Sequence, residues 1–115
     1  MANACLFLGF SRPATGKESE SMALFNEAVG QFEGLSKEGW FESFEVIGLT
    51  PHCGVLTGFL LLRGERAKLD ELRRTDAFER LSMRFARAFE GYGVVPGVTL
   101  EGMRKVYERN PDLFK

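Results

Sequence analysis

Few side chains in this chain are equipped for chemistry. There is one histidine, His52, and there are two cysteines, Cys5 and Cys53, in 115 residues. His52 and Cys53 fall in the turn segment Thr50-Pro51-His52-Cys53-Gly54, and one histidine with two separated cysteines does not make a zinc set. No metal and no cofactor is expected. Cys5 lies in an apolar run without a histidine near it in the pattern, so it reads as a small hydrophobe rather than a nucleophile. The polar groups able to act inside an apolar interior are few, Glu45, Tyr92, Tyr107 and Arg12, and the candidates for proton transfer are Glu45 and Tyr92, with Asn26 a third. Glu45 stands among apolar strand residues, where lost hydration would raise its pKa and make it a proton acceptor; the plainer reading is an edge-strand charge facing water. Asn26 opens a four-residue ladder with Gly30 and Gly34 along a helix. Small residues there leave room for a ligand between helix and sheet, anchored by Asn26, although close helix–sheet approach explains the glycines as well. Of eleven phenylalanines, Phe25, Phe85 and Phe89 are the expected walls of such a pocket. An aromatic lining suits a flat apolar or aromatic ligand, and equally a large aromatic core.

Two motif fragments fail on their neighbours. Gly16-Lys17 before a helix lacks the glycine five positions earlier, where Ser11 stands, and the hydroxyl after the lysine, where Glu18 would repel a phosphate. The strand Leu6-Phe7-Leu8-Gly9-Phe10 resembles one motif of RNA-recognition domains, but Thr57-Gly58-Phe59-Leu60-Leu61-Leu62 supplies one aromatic and no charge for the partner motif. Fifteen basic and sixteen acidic residues give a net charge of -1. No positive groove for nucleic acid is expected from that balance.

The elements that must position these residues follow from periodicity. Cys5–Phe10 reads as a strand apolar on both faces, ended by Arg12-Pro13-Ala14-Thr15-Gly16. A helix is expected over about 17–38, with Met22, Phe25, Val29, Phe32 and Leu35 as its inward stripe, and with Thr15 and Glu18 as a capping box or else Ser19 or Ser21 as the cap. Gly39 ends it. A second strand spans 40–49, and its charges mark it as an edge. Residues 55–62 form a third strand, apolar on both parities. Helical residues 66–74 break at Thr75-Asp76, and a second helix carries Phe78, Leu81, Phe85, Ala88 and Phe89 inward. Val94–Val98 is a short fourth strand that Pro96 confines to an edge. A last helix starts behind Thr99 with Leu100, Met103, Val106 and Tyr107, ending at Asn110-Pro111.

The order β-α-β-β-α-β is that of a ferredoxin-like α+β sandwich, one domain over 1–115, with a four-stranded antiparallel sheet and an extra C-terminal helix. Right-handed crossovers place strands one and three at the centre. Both crossover helices lie on one sheet face, and the other would ordinarily alternate to polar. Here Cys5, Phe7, Thr57, Phe59 and Leu61 face that way. An open apolar face of several hundred Å² exceeds what a soluble monomer usually leaves bare. A second copy packed sheet to sheet is the expected cover, in preference to the chain's own C-terminal helix. No apolar run, Phe59–Leu62 included, is long enough to cross a bilayer, Met1-Ala2-Asn3 opens no signal peptide, and the spaced cysteines suit a cytoplasm.

With this element order, two doubly apolar centre strands and a helix broken across Leu72–Phe78, the chain resembles the dimeric α/β-barrel superfamily. The resemblance implies homodimers paired through their sheets and ligand cavities between sheet and helices. For an enzyme it implies cofactor-independent oxidation or isomerisation of an aromatic or lactone-like substrate, with Glu45 and Tyr92 as candidate catalytic residues. A haem-degrading member would need a helical histidine, and His52 lies in a turn. The competing expectation is a non-catalytic homodimer whose sheet face is its interaction surface; an RNA-binding module stands third.

Overall fold

The computed structural model describes residues 2–114. β1 (Ala4–Phe10), α1 (Glu18–Lys37), β2 (Ser43–Gly48), β3 (Gly58–Gly64), α2 (Arg66–Arg73), α3 (Asp76–Ala88), β4 (Gly93–Val98) and α4 (Leu100–Arg109) follow in order, with a 3-10 turn at Pro111–Phe114. The sheet is open and antiparallel, in the order β2-β3-β1-β4. The two doubly apolar strands are central, and Pro96 sits on an edge where a missing N–H costs no ladder bond. This is an α+β architecture consistent with a ferredoxin-like fold. Among the described residues no helix is long and apolar enough to cross a membrane.

The helix-facing parity of the sheet is the core. Leu6, Leu8 and Phe10 of β1 and Leu60 and Leu62 of β3 are buried against Leu24, Phe32, Leu69, Leu72, Phe78, Leu81 and Phe85. Each fully buried side chain of this kind contributes about 1.5–3 kcal/mol through water released.

Several boundaries differ from those expected, for identifiable reasons. The inward stripe of α1 is Ser21, Leu24, Ala28 and Phe32, and Met22 is 56% exposed. Ser21 Oγ lies 2.7 Å from both Lys17 O and Ala88 O, which turns the first part of α1 until this small polar residue is innermost. Lys17, rather than Thr15, is the N-cap, and no side chain caps it. Gly39, at φ +89°, does end α1. Gly39 N donates to Ser36 O and Trp40 N to Leu35 O, the paired bonds of a left-handed C-terminal cap. That cap consumes Trp40, so β2 begins only at Ser43 and Phe41 drops into the core. β3 starts at Gly58 because β1 runs out at Phe10, its register partner. Residues 55–57 therefore belong to the preceding loop, with Val55 82% exposed. The break at Thr75 is a true restart: its Oγ1 accepts from Phe78 N and donates to Leu72 O. α3 stops at Ala88, and Phe89 is extended, bridging to Pro13. Thr99 caps α4 as expected, accepting from Gly102 N.

Candidate functional site

α1 lies against β2 and α3, and α2 against β1. The helix-facing side of the edge strand β4 is left largely bare: Val94 is half-buried, while Pro96 and Val98 are exposed. A groove of about 310 Å³ results between α2 and β4. Its apolar floor comes from Ala4, Leu6, Leu69, Pro96 and Val98, and its wall carries Arg66, Asp70 and Arg73. These three recur at helical spacing beside the buried Leu69, so one helix face brings two guanidinium groups and a carboxylate to the opening. Neither arginine takes part in an ion pair among the described residues. Arg73 is also half-buried, and a guanidinium in that position keeps its charge. With Asp70 between the two arginines, the wall carries one net positive charge.

Tyr92, just before β4, is not among the residues that line this groove, although it feels the charge of Arg73. Its ring lies 5.4 Å from Phe85, and its hydroxyl shares a 3.0 Å hydrogen bond with Ser82 Oγ. Burial pushes the phenol above its usual value of 10.0, while Ser82 and the charge of Arg73 pull it down by less. At neutral pH the group is a protonated phenol, able to donate a hydrogen bond but not to accept a proton as a base. A larger hollow of about 620 Å³ at the end of the sheet includes Ser11, Arg12, Thr57 and Glu90. Its cation is already neutralised, since Arg12 Nε and Glu90 Oε2 are 2.9 Å apart.

The other sheet face is a different kind of surface. Register puts Cys5, Phe7, Ile47, Phe59, Leu61 and Val95 on the side away from α1, α2 and α3. Phe7 and Phe59 pack ring to ring at 4.9 Å, and Gly9 makes room, since a Cβ there would lie 2.6 Å from Phe7 Cε1. Ile47 is half-buried and Val95 is 55% exposed. The charges on this face include Glu45 and Arg63, paired at 3.3 Å toward the β2 edge.

The residues expected to carry function are thus distributed, not gathered. Glu45 and Tyr92 belong to opposite edges and opposite faces of the sheet, with three strand spacings, roughly 14 Å, between their strands. Asn26 and Gly30 lie on the exposed side of α1, where a Cβ at Gly30 would meet nothing within 4 Å; they do not look into the space between helix and sheet. Phe25, Phe85 and Phe89 do look inward, but onto protein. Phe10 meets Phe25 at 5.8 Å and Phe89 at 5.0 Å, and Phe85 stacks on Phe89 at 5.3 Å. Cys5, Phe7, Phe59 and Leu61 stand on the outer face as expected, while Thr57 is an exposed loop residue whose N–H donates to Phe10 O. His52 spends both ring nitrogens within its loop, one accepting from Gly54 N at 2.9 Å and the other 2.8 Å from Leu56 O. Among the described residues no three His, Cys, Asp or Glu side chains gather around a metal-sized space. Arg66, Asp70 and Arg73 were not singled out from sequence. Their 66/70/73 spacing is visible there, but the bare flank of β4 that makes it a groove is not.

The chain matches no protein-family model and no curated protein. It is similar in structure to a crystal structure titled as a conserved protein from Methanosarcina mazei Go1, with a TM-score of 0.60 over 83% of this chain and 91% of that one. At 16% identity this likeness concerns the fold alone.

Proposed function

We propose that this chain works as a homodimer, paired through its outer sheet faces in the manner of dimeric α/β-barrel proteins. Each copy holds a small molecule with an apolar body and an anionic group in its α2–β4 groove. The observation that carries the pairing is the continuous apolar outer face of Phe7, Ile47, Phe59, Leu61 and Val95, which none of the chain's first three helices covers. The ligand class follows from two guanidinium groups that make no ion pair among the described residues, above an apolar floor. Binding, rather than catalysis, is the reading this arrangement favours. The interior is filled with aromatic rings, Tyr92 keeps its proton at neutral pH, and Glu45 is remote from it.

The test has two parts. Sedimentation at micromolar concentration should give a dimer, and Phe59→Glu should give a monomer with unchanged far-ultraviolet circular dichroism; a monomeric parent protein refutes the pairing. Titration with phenylacetate and with its neutral amide should show the acid binding and the amide not, with Arg73→Met weakening the acid at least about tenfold. Equal binding of acid and amide refutes the role of the arginines, and binding of neither refutes the groove.

A further inference from the structure

We propose that the groove between α2 and β4 takes a free α-amino acid with an apolar side chain, Asp70 receiving its ammonium group and Arg73 its carboxylate. This rests on the anion-binding reading of the same groove given above and specifies the rest of the ligand.

The charges of the wall are set in place before anything binds. Leu69 and Leu72, each 1% exposed, fix the rotation of α2 about its axis. The first turn of α2 is tied down from outside, since Arg66 N donates to Asn3 Oδ1 at 2.9 Å. At about 100° per residue, Arg66, Asp70 and Arg73 fall within a sector of about 60° around the helix. Along the axis their signs read positive, negative, positive over roughly 10 Å.

Asp70 is half-buried beside this groove, as Arg73 is. Its carboxylate makes no ion pair and no hydrogen bond among the described residues. Elsewhere opposite charges close on each other, Arg12 with Glu90 at 2.9 Å and Arg63 with Glu45 at 3.3 Å. In the groove a carboxylate and two guanidinium groups stand one helical turn apart and stay separate. Both signs are therefore offered to a ligand.

A plain acid answers only half of this wall. Seated at Arg73, its carboxylate lies close to that of Asp70, and like charges oppose each other there. An amine alone meets the converse conflict with two arginines. Ammonium and carboxylate on a single carbon satisfy Asp70 and Arg73 together through charge-assisted hydrogen bonds. Residues three apart on a helix have Cβ atoms about 5–6 Å from each other, and a long arginine beside a short aspartate can converge on so small a unit. A peptide terminus brings one of the two charges, so the free amino acid is the ligand. Its side chain then lies on the apolar floor of Leu6, Leu69, Pro96 and Val98. The volume of about 310 Å³ falls at the lower end of the range for small-molecule sites, roughly 300–1,000 Å³, and suits one amino acid.

Isothermal titration calorimetry of the full chain at neutral pH with L-phenylalanine, 3-phenylpropionate and phenethylamine tests this. The three share a phenyl body and differ in the charges they carry. L-Phenylalanine should bind at least about tenfold more tightly than either analogue. Asp70→Asn should erase the advantage over 3-phenylpropionate and tighten binding of that acid, which also shows that the variant is folded. Equal binding of L-phenylalanine and 3-phenylpropionate to the parent protein overturns the amino acid and leaves the anion site standing. An advantage that persists in Asp70→Asn overturns the role of Asp70. If phenethylamine matches L-phenylalanine, or none of the three binds, the anion site and the amino acid fall together.

Discussion

Adding one methyl group at Gly102 sets two effects of known size against each other. Alanine is favoured over glycine inside a helix by about 1 kcal/mol, so an unconstrained site would be stabilised. Here a Cβ would sit 2.6 Å from Val98 Cγ1 and 3.1 Å from the Asn3 carbonyl carbon, with the carbonyl oxygen nearer still. Asn3 cannot give way: its N–H donates to Gly64 O at 3.2 Å and its Oδ1 accepts from Arg66 N at 2.9 Å. Val98 is held in the ladder opposite Ala4. The helix must therefore move, by about 1 Å at its root, at a cost of about 1–3 kcal/mol that outweighs the propensity gain. Because the pivot lies in the first turn, the displacement grows to several ångströms at the tip of a helix about 15 Å long. The core does not share this contact. Gly102→Ala should thus lower stability, measured by urea unfolding, by less than about 1 kcal/mol, since α4 undocks before the sheet yields. A variant about 1 kcal/mol more stable than the parent would mean that helix propensity prevails. The clamp at Asn3 would then not exist.

Ser21→Ala removes a hydroxyl in reach of two carbonyls, but Lys17 O keeps Ser21 N and Ala88 O keeps Ala14 N as donors. The loss should be about 1 kcal/mol by urea midpoint, and 3 kcal/mol or more would show that a carbonyl is orphaned. Tyr92→Phe should cost about 1 kcal/mol at neutral pH through the Ser82 bond. Burial raises the Tyr92 pKa, so its contribution is complete below about pH 10 and is lost as pH climbs through the raised value. The variant's stability curve should be flatter than the parent's in that alkaline range; parallel curves would contradict the burial argument. Thr75→Ala should cost about 1–2 kcal/mol and Thr75→Ser should recover most of it, because the hydroxyl both caps α3 and ties it to α2. No recovery by serine would place the effect in the methyl group instead.

What could be read from sequence was whatever depends on near neighbours in the chain. Leu6, Leu8 and Phe10 against Cys5 and Phe7 announce a central strand because both parities are apolar, and Pro96 announces an edge because it lacks a donor. Thr99 marks a helix start through a bond made three residues away, whereas at the restart Asp76 with Glu79 reads as the capping pair and Thr75, one residue earlier, is the cap. Where register or a distant partner decides, the reading shifts. Residues 55–57 look like a strand until β1 ends opposite Gly58. Met22 outranks Ser21 as a core residue until Ser21 finds Ala88 O, 67 positions along the chain. The groove was hidden for the same reason. Arg66, Asp70 and Arg73 resemble any solvated helix face, and their significance lies in α1, α2 and α3 leaving Pro96 and Val98 of β4 exposed.

That bare flank has a cause in the aromatic packing. Phe25, Phe10, Phe89, Phe85 and Tyr92 form one continuous row, with successive centroids 5.8, 5.0, 5.3 and 5.4 Å apart. It runs from α1 across β1 to the start of β4. To open a ligand pocket inside this row, a ring would have to leave, and truncating a buried phenylalanine costs about 3–5 kcal/mol. A chain of this size has a total stability of only about 5–15 kcal/mol. Binding in the interior would consume a large part of that margin, whereas binding over Pro96 and Val98 displaces nothing but water. The row ends in Tyr92, which brings the only polar atom of its five rings to the side where Arg73 already stands. The same packing that closes the interior leaves the α2–β4 groove as the place where the ligand proposed above would displace only water.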